Sequence, residues 1–506
     1  MVDAYVRSGL GGYVGAATEA GAVAMASGFA SVTGRIGVAT VTHGPGLTNT
    51  VTPLVEAQRG RSPIVLIAGD TPRGATHHLQ DIDQRAVVAS TGAGFEEVAE
   101  AADALGALQR AFDRTVTERR PIVVSIPVDL QWDEVSPMVP TPNVGYRRNV
   151  IDQTDLERAC EVIASARRPV VLAGRGAISA RSRSSVLKFA RRIGAPVATT
   201  LKAKDLFRGE PENLGICGTL SAPATLAALS RADCVVSFGA ALTALTTDHG
   251  RLLSGASVVW CDIDEARRSE LQGLACSLIG DSAEVSDALG ELFLRLELAP
   301  RRFAAGAAES VAADSAPDSS PERDIDIRTM LDAVDDAVDP DRTLVVDVGR
   351  FMRHALRRLR VAHPMNYVHA ANFACLGLGM STAIGAAAAR PDHPCLLVCG
   401  DGGFMMGGLA ELHTAVRERL DLIVVVMNDG TYGAELVQFA ARGMDPSLSF
   451  MRWPDLAGTA RAMGCEAVTV TGPGDVDSFR HAVESGRRPL LVDVRLDPDG
   501  IPPLDG

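Results

Sequence analysis

The chain has 506 residues, 46% of them hydrophobic but only 4% aromatic, and carries a formal charge of −13. That length exceeds what one hydrophobic core can organise, so about two to four aliphatic domains are expected, and the acidic balance argues against nucleic acid or an anionic membrane as partner. No stretch reaches the roughly 18 uninterrupted apolar residues of a membrane-spanning helix, and nine cysteines without a CxxC pair read as reduced thiols of a cytoplasmic protein.

Apolar strand-like runs alternate with Ala-rich helical stretches from end to end. This is the rhythm of an α/β chain built on mostly parallel sheets flanked by helices. The first block is read as residues 1–135, with strands at 37–42, 64–68 and 122–126. Its opening residues lack a basic region followed by an apolar stretch, so no secretory signal is visible. Glu19 stands at the start of a helix that is otherwise small and apolar, where the helix dipole favours an acid. The strand over 37–41 runs into Thr42-His43-Gly44-Pro45-Gly46-Leu47-Thr48-Asn49, in which a proline between glycines fixes a sharp turn. His43 reads either as a buried structural imidazole or as a proton carrier. His77 and His78 read as solvent-facing, shortly before Gln80. The polar, Pro-bearing stretch 136–149 reads as a linker.

A middle block over 150–297 holds strands at 169–174, 196–200, 234–239 and 257–262. Gly174-Arg175-Gly176 after the first of them is only a fragment of a dinucleotide fingerprint. A flexible linker is expected over 298–325, where 304–321 is low in complexity. The third block, 326–500, has strands at 343–348, 395–399, 422–427 and 490–494. Gly400-Asp401-Gly402-Gly403 closes the second of these strands, and its glycines allow backbone N–H groups to approach a phosphate at a helix start. Asn428-Asp429-Gly430-Thr431 closes the third as another oxygen-rich turn. Ligands of open α/β sheets bind beyond the carboxyl ends of the strands. Hard divalent cations take carboxylate, amide and backbone oxygens and share their shell with phosphate. The two turns together read as a metal–diphosphate clamp.

These motifs resemble the thiamine-diphosphate-dependent superfamily, in the branch of acetolactate synthase and benzoylformate decarboxylase. Its signature is GDG, then a helix and a strand, then a pair of Asn/Asp residues. The resemblance covers nearly the whole chain. It implies three domains: a pyrimidine-binding domain and a diphosphate-binding domain that share the thiamine-diphosphate-binding fold, with a Rossmann-like middle domain between them. By resemblance, Glu19 hydrogen-bonds N1′ of the aminopyrimidine and so turns the 4′-amino group into the base for the thiazolium C2 proton. His43 and Gln80 would reach the reacting carbon.

The resemblance also implies cofactor contacts from Gly44, Pro45, Gly46 and Asn49, from Gly349 and Arg350, and from Leu376 and Gly377. Further contacts would come from Gly400, Asp401, Gly402 and Gly403, and from Asn428, Asp429, Thr431 and Tyr432. For Mg2+ the implied ligands are Asp401, Asp429 and the backbone carbonyl of Thr431. The stretch 405–411 is one residue longer than the usual version, and by bare spacing Asn428 with the Gly430 carbonyl would take the last two places. Acetolactate synthases hold FAD in the middle domain, but 238–243 lacks the arginine usual there, which argues against FAD here. Only 18 residues precede Glu19, so the first domain is expected to lack its first strand and helix and to leave a sheet edge open.

The implied activity is Mg2+- and thiamine-diphosphate-dependent decarboxylation of a small-molecule 2-oxo acid, with carboligation to a second carbonyl. A homodimer or homotetramer with the active site between subunits is implied as well. Simple decarboxylation to an aldehyde is one alternative, and a non-catalytic cofactor-binding homologue is another.

Overall fold

Three runs of Val-, Ile- and Leu-rich strands, the central ones buried on both faces, form three parallel sheets. A computed structural model describes residues 2–135, 150–271, 273–300, 303 and 325–501. The linker read over 136–149, and the low-complexity part of the one over 298–325, lie outside the described residues. In the first sheet, β1 (Gly37–Val41), β2 (Ile64–Asp70), β3 (Gly94–Glu97) and β4 (Ile122–Pro127) stand in the order β1-β2-β4-β3. The third sheet comprises β11 (Thr343–Val346), β12 (Tyr367–His369), β13 (Cys395–Gly400), β14 (Leu422–Asn428), β15 (Glu466–Val470) and β16 (Leu490–Arg495). Their order is β12-β11-β13-β14-β16-β15. Both sheets belong to one compact unit, and the middle sheet belongs to another.

The middle sheet holds β5 (Pro169–Ala173), β6 (Val197–Thr199), β7 (Asn213–Ile216), β8 (Cys234–Phe238), β9 (Ser257–Asp262) and β10 (Leu274–Ile279). Its order, β10-β9-β8-β5-β6-β7, is the doubly wound nucleotide-fold order. At its switch point, however, the Gly174 and Gly176 N–H groups donate to the Phe238 and Gly239 carbonyls at 2.8 and 3.0 Å. This turn therefore ties two loops together.

Five strands escape a reading of apolar runs: β3, β7, β10, β12 and β15. Every one is an edge strand. An edge is covered less completely, so its sequence is shorter or more mixed. By contrast, β4 and β14 are buried at every position.

The first and third sheets are joined by two small-residue helices. Thr18 caps the helix Glu19–Thr33 through its hydroxyl, and Gly34 closes it in the left-handed region at φ 68°. This helix packs against Gly379–Ala389 so closely that a Cβ on Gly28 would lie 2.0 Å from the Thr382 carbonyl, and one on Gly385 would lie 1.9 Å from that of Met25. The pairing of 28 with 382 and of 25 with 385 makes the two helices antiparallel. Met25 and Val32 thereby enter the core of the third sheet.

All nine cysteines are free thiols, and eight are buried. Among the described residues no helix is long and apolar enough to cross a membrane.

The third block also buries a cation. Arg342, fully buried, pairs with Asp335 and donates to the Val338 carbonyl at 2.5 Å, while Asp335 also accepts from the Arg360 N–H at 2.7 Å. Removing the acid leaves a buried guanidinium without its counter-charge. Asp335→Ala is therefore expected to cost about 3–5 kcal/mol, read as a lowered midpoint in chemical denaturation.

Candidate functional site

Glu19 is the first residue of its helix and is half-buried. Its Oε2 accepts from Asn49 Nδ2 at 3.0 Å, and its Oε1 would stand 3.8 Å from a Cβ on Gly46. The Gly44-Pro45-Gly46 turn and Glu19 thus form one corner. Gly44 adopts φ 59°, and a side chain there would meet the Gln80 carbonyl at 2.3 Å, so glycine is required both by conformation and by space. The Gly44 N–H donates to Gln84 Oε1 at 3.0 Å, and the Gln84 amide in turn donates to the Gly69 carbonyl and to Ser125 Oγ. Gln84, which the sequence reading passed over, props this corner from below.

His43 is buried, and its Nε2 has no hydrogen-bond partner among the described residues. Its ring lies 5.3 Å from that of His78. His77 is exposed as expected, but His78 is not: it is half-buried against His43, and its Nδ1 accepts from the Gln80 N–H at 3.3 Å. The loop 76–83 folds back over the turn, which adjacency in sequence could not reveal.

The oxygen-rich turns meet at the carboxyl ends of β13 and β14. The register pairs Gly400 with Met427, so Asp401, the first residue past β13, and Asn428, the last of β14, each follow one residue beyond that pair. Asp401 is 3% exposed, and Trp453 Nε1 donates to its Oδ2 at 2.7 Å. Burial, with the charge of Asp429 added, pushes its carboxyl up to about 6. A π turn over Phe404–Gly408 follows.

Asp429 is already engaged. Its Oδ1 accepts from the Thr431 N–H and hydroxyl at 2.9 and 2.7 Å, and its Oδ2 accepts from Arg350 Nη2 at 2.8 Å. Arg350 also donates to the Pro498 carbonyl at 2.9 Å, so it holds the turn and the tail together. Asn428, 3% exposed, spends its amide nitrogen on Asp493 Oδ1 at 2.8 Å, which orients its carbonyl oxygen away from that partner.

Glycine serves close approach here too: a Cβ on Gly402 would lie 2.6 Å from the Tyr432 ring, and one on Gly403 would lie 2.9 Å from Asp347 Oδ2. Gly349 precedes the Arg350 latch, and Leu376 is half-buried next to Gly377, which sits at φ 85°.

Asp347 underlies this half. Its carboxylate accepts from the N–H groups of Val348 at 2.8 Å and Gly377 at 3.1 Å, yet burial pushes it up to about 7. An acid whose folded pKa lies above its unfolded value adds stability at low pH and loses it as pH rises through the folded value. The free energy of unfolding is therefore expected to fall between about pH 4 and pH 7, by as much as roughly 4 kcal/mol from this residue. Asp347→Asn should flatten that slope in denaturation curves taken across the same range.

The two corners do not coincide within one chain. The run from Asp401 to Glu411 spans about 15 Å of helical rise, and Glu411 is bonded to Thr18, the neighbour of Glu19. The antiparallel helix pair likewise sets Glu19 and Gly377 at opposite ends. Trp453, Gln84, Asp347 and Glu411 are the polar members that sequence reasoning missed. Only Asp347, at a strand end, carried a local signal.

Comparison with known proteins gives three matches along the chain. Residues 2–87 match the thiamine pyrophosphate enzyme N-terminal TPP binding domain, 156–289 the central domain and 347–494 the C-terminal TPP binding domain. The chain is 28% identical over 514 residues to the acetolactate synthase large subunit of Corynebacterium glutamicum, covering 95% of this chain and 80% of that one. It is 27% identical over 502 residues to a sulfoacetaldehyde acetyltransferase of Alcaligenes xylosoxydans xylosoxydans, covering 90% and 81%. A probable 2-ketoarginine decarboxylase of Pseudomonas aeruginosa is 29% identical over 489 residues, covering 92% and 84%.

Proposed function

Because the chain belongs to the thiamine pyrophosphate enzymes, in the acetolactate-synthase-like branch, we propose that it decarboxylates a small 2-oxo acid and joins the remaining fragment to a second carbonyl. The observation that carries this reading is the pair of corners built on Glu19 and Asp401, one for each end of the same cofactor. Thiamine diphosphate, when bound, supplies a C2 nucleophile and an electron sink for loss of CO2.

The residues fit that group. Glu19, steered by Asn49, would hold the proton at N1′ of the aminopyrimidine, beside the glycine turn that leaves room for the ring. The Gly402 and Gly403 backbone, free of Cβ atoms, would face the diphosphate. Asp401 and Asn428, each one residue beyond the Gly400–Met427 pair, offer the hard oxygen donors that Mg2+ takes. Since Asp429 is committed to Arg350 and Thr431, the favoured ligand set is Asp401, Asn428 and the Gly430 carbonyl, with Asp429 shaping the turn. The unpartnered Nε2 of His43 beside His78 supports a role for His43 in moving a proton, and the Gln80 N–H donates to His78 within the loop that carries both.

Opposite placement of the corners in one chain supports a homodimer or a larger homo-oligomer, in which the Glu19 corner of one copy completes the Asp401 corner of another. The free, buried thiols support a cytoplasmic setting. The spent glycine N–H groups in the middle sheet argue against FAD.

A second reading, decarboxylation that ends in an aldehyde, is favoured by the His43–His78 pair, which offers a proton source for product release. The test is a panel of 2-oxo acids with thiamine diphosphate and Mg2+, following CO2 and identifying products. Hydroxy-keto acids support carboligation, and aldehydes alone support the second reading. No CO2 from any member of the panel would overturn both.

A further inference from the structure

Glu411 is fully buried in the helix Leu409–Arg417, on the third block, yet its carboxylate reaches the start of the helix that presents Glu19. Its Oε1 accepts from the Thr18 N–H and the Thr18 hydroxyl, each at 3.0 Å. Its Oε2 accepts from the Ala17 N–H at 3.1 Å and from Thr414 Oγ1 at 2.9 Å. Four donors thus converge on one carboxylate, two of them backbone N–H groups next to Glu19. An ionised carboxylate accepts only, so the Thr18 hydroxyl must spend its proton on Glu411. Its lone pairs are thereby left for the Gly21 N–H, which donates to it at 2.9 Å and forms the helix cap.

Gly21 makes the room. A Cβ there would fall 2.1 Å from Glu411 Oε1.

From this geometry we propose that Glu411 is a positioning residue for Glu19: it sets where the helix begins and so aims the Glu19 side chain, although it touches neither cofactor nor substrate. The inference rests on the role proposed for Glu19. The helix turn containing Asp401 leads through the π turn directly into the helix bearing Glu411. One continuous element therefore carries the diphosphate corner at its start and the aim of Glu19 farther along. A carboxamide cannot replace the acid, because its NH2 group would face an N–H or O–H donor where an acceptor is required.

The experiment uses the full chain and two readouts. The first is amide hydrogen exchange over residues 16–24 without cofactor, alongside the thermal unfolding midpoint. The second is the rate at which bound thiamine diphosphate exchanges its C2 proton for deuterium, which needs no identified substrate. In Glu411→Gln and Thr18→Val, the amides of 17–21 should exchange at least about tenfold faster. C2 exchange should slow by about tenfold to a hundredfold, as for an aiming error. Thr18→Ser, which keeps the hydroxyl, should restore both rates to near the parent values. Gly21→Ala displaces the carboxylate without removing it, should give the same pair of changes, and stands in if Glu411→Gln does not fold.

Unchanged amide exchange in both Glu411→Gln and Gly21→Ala would overturn the proposal. So would a loss of C2 exchange no larger than the loss of folded protein. If Glu19→Gln itself leaves C2 exchange intact, the reading of Glu19 fails. If Glu19→Gln is inactive while the Glu411 and Gly21 variants match the parent, only the positioning role fails.

Discussion

Turnover by Glu19→Gln is expected to fall by about 10²- to 10⁴-fold, the usual contribution of a positioned acid–base group. The substitution keeps the shape, and a glutamine side chain can still meet the Asn49 amide through its own carbonyl oxygen, so the corner itself should stand. What is lost is a carboxyl that can hold and release a proton at the cofactor ring. The thermal unfolding midpoint should stay within a degree or two of the parent, since Glu19 is half-buried and bears no ion pair among the described residues. Steady-state rates on any substrate found in the 2-oxo acid panel, with C2 proton exchange in parallel, decide it. A variant that retains half of the parent rate would remove Glu19 from the chemistry.

Asp401→Ala should weaken thiamine diphosphate binding in the presence of Mg2+ by at least about a hundredfold and abolish its dependence on Mg2+. Calorimetric titration of the cofactor at several Mg2+ concentrations reads both quantities. The same variant should change the stability of the free protein little, because the burial cost it relieves is offset by loss of the hydrogen bond from Trp453. Burial holds the Asp401 carboxyl near 6 without a cation, which marks a charge the fold carries at a cost. Asn428→Ala is expected to repeat the loss of Mg2+ dependence. Asp429→Ala should instead loosen the turn by freeing Arg350 and the Thr431 N–H, and should lower cofactor affinity while keeping the Mg2+ response. Should Asp429→Ala lose the Mg2+ response and Asn428→Ala keep it, the ligand assignment reverses.

Much of the molecule is legible along the chain. Central strands such as β4, β13 and β14 are predominantly apolar runs because both faces are covered, and the glycine turns after β1 and β13 stand out because their conformations or close contacts exclude a side chain. The five strands that were illegible, β3, β7, β10, β12 and β15, all lie at sheet edges and are short or mix polar and small residues into the apolar run. His78 was misread because exposure depends on where a loop folds, and this one folds onto His43.

The sequence by itself determined the three-block α/β order, the two turns of the clamp and the acid at the head of a small-residue helix. These are local patterns, set by strand burial, backbone conformation and helix capping within a few residues. Only the tertiary structure decided that the strands leading to Asp401 and Asn428 pair Gly400 with Met427, that Asp429 is spent on Arg350, and that Glu411 grips Thr18 across 393 residues of chain. The reason is that strand register and the pairing of buried charges are settled by segments distant in sequence. A carboxylate is satisfied by whichever donors the packed sheets deliver, and periodicity carries no record of them.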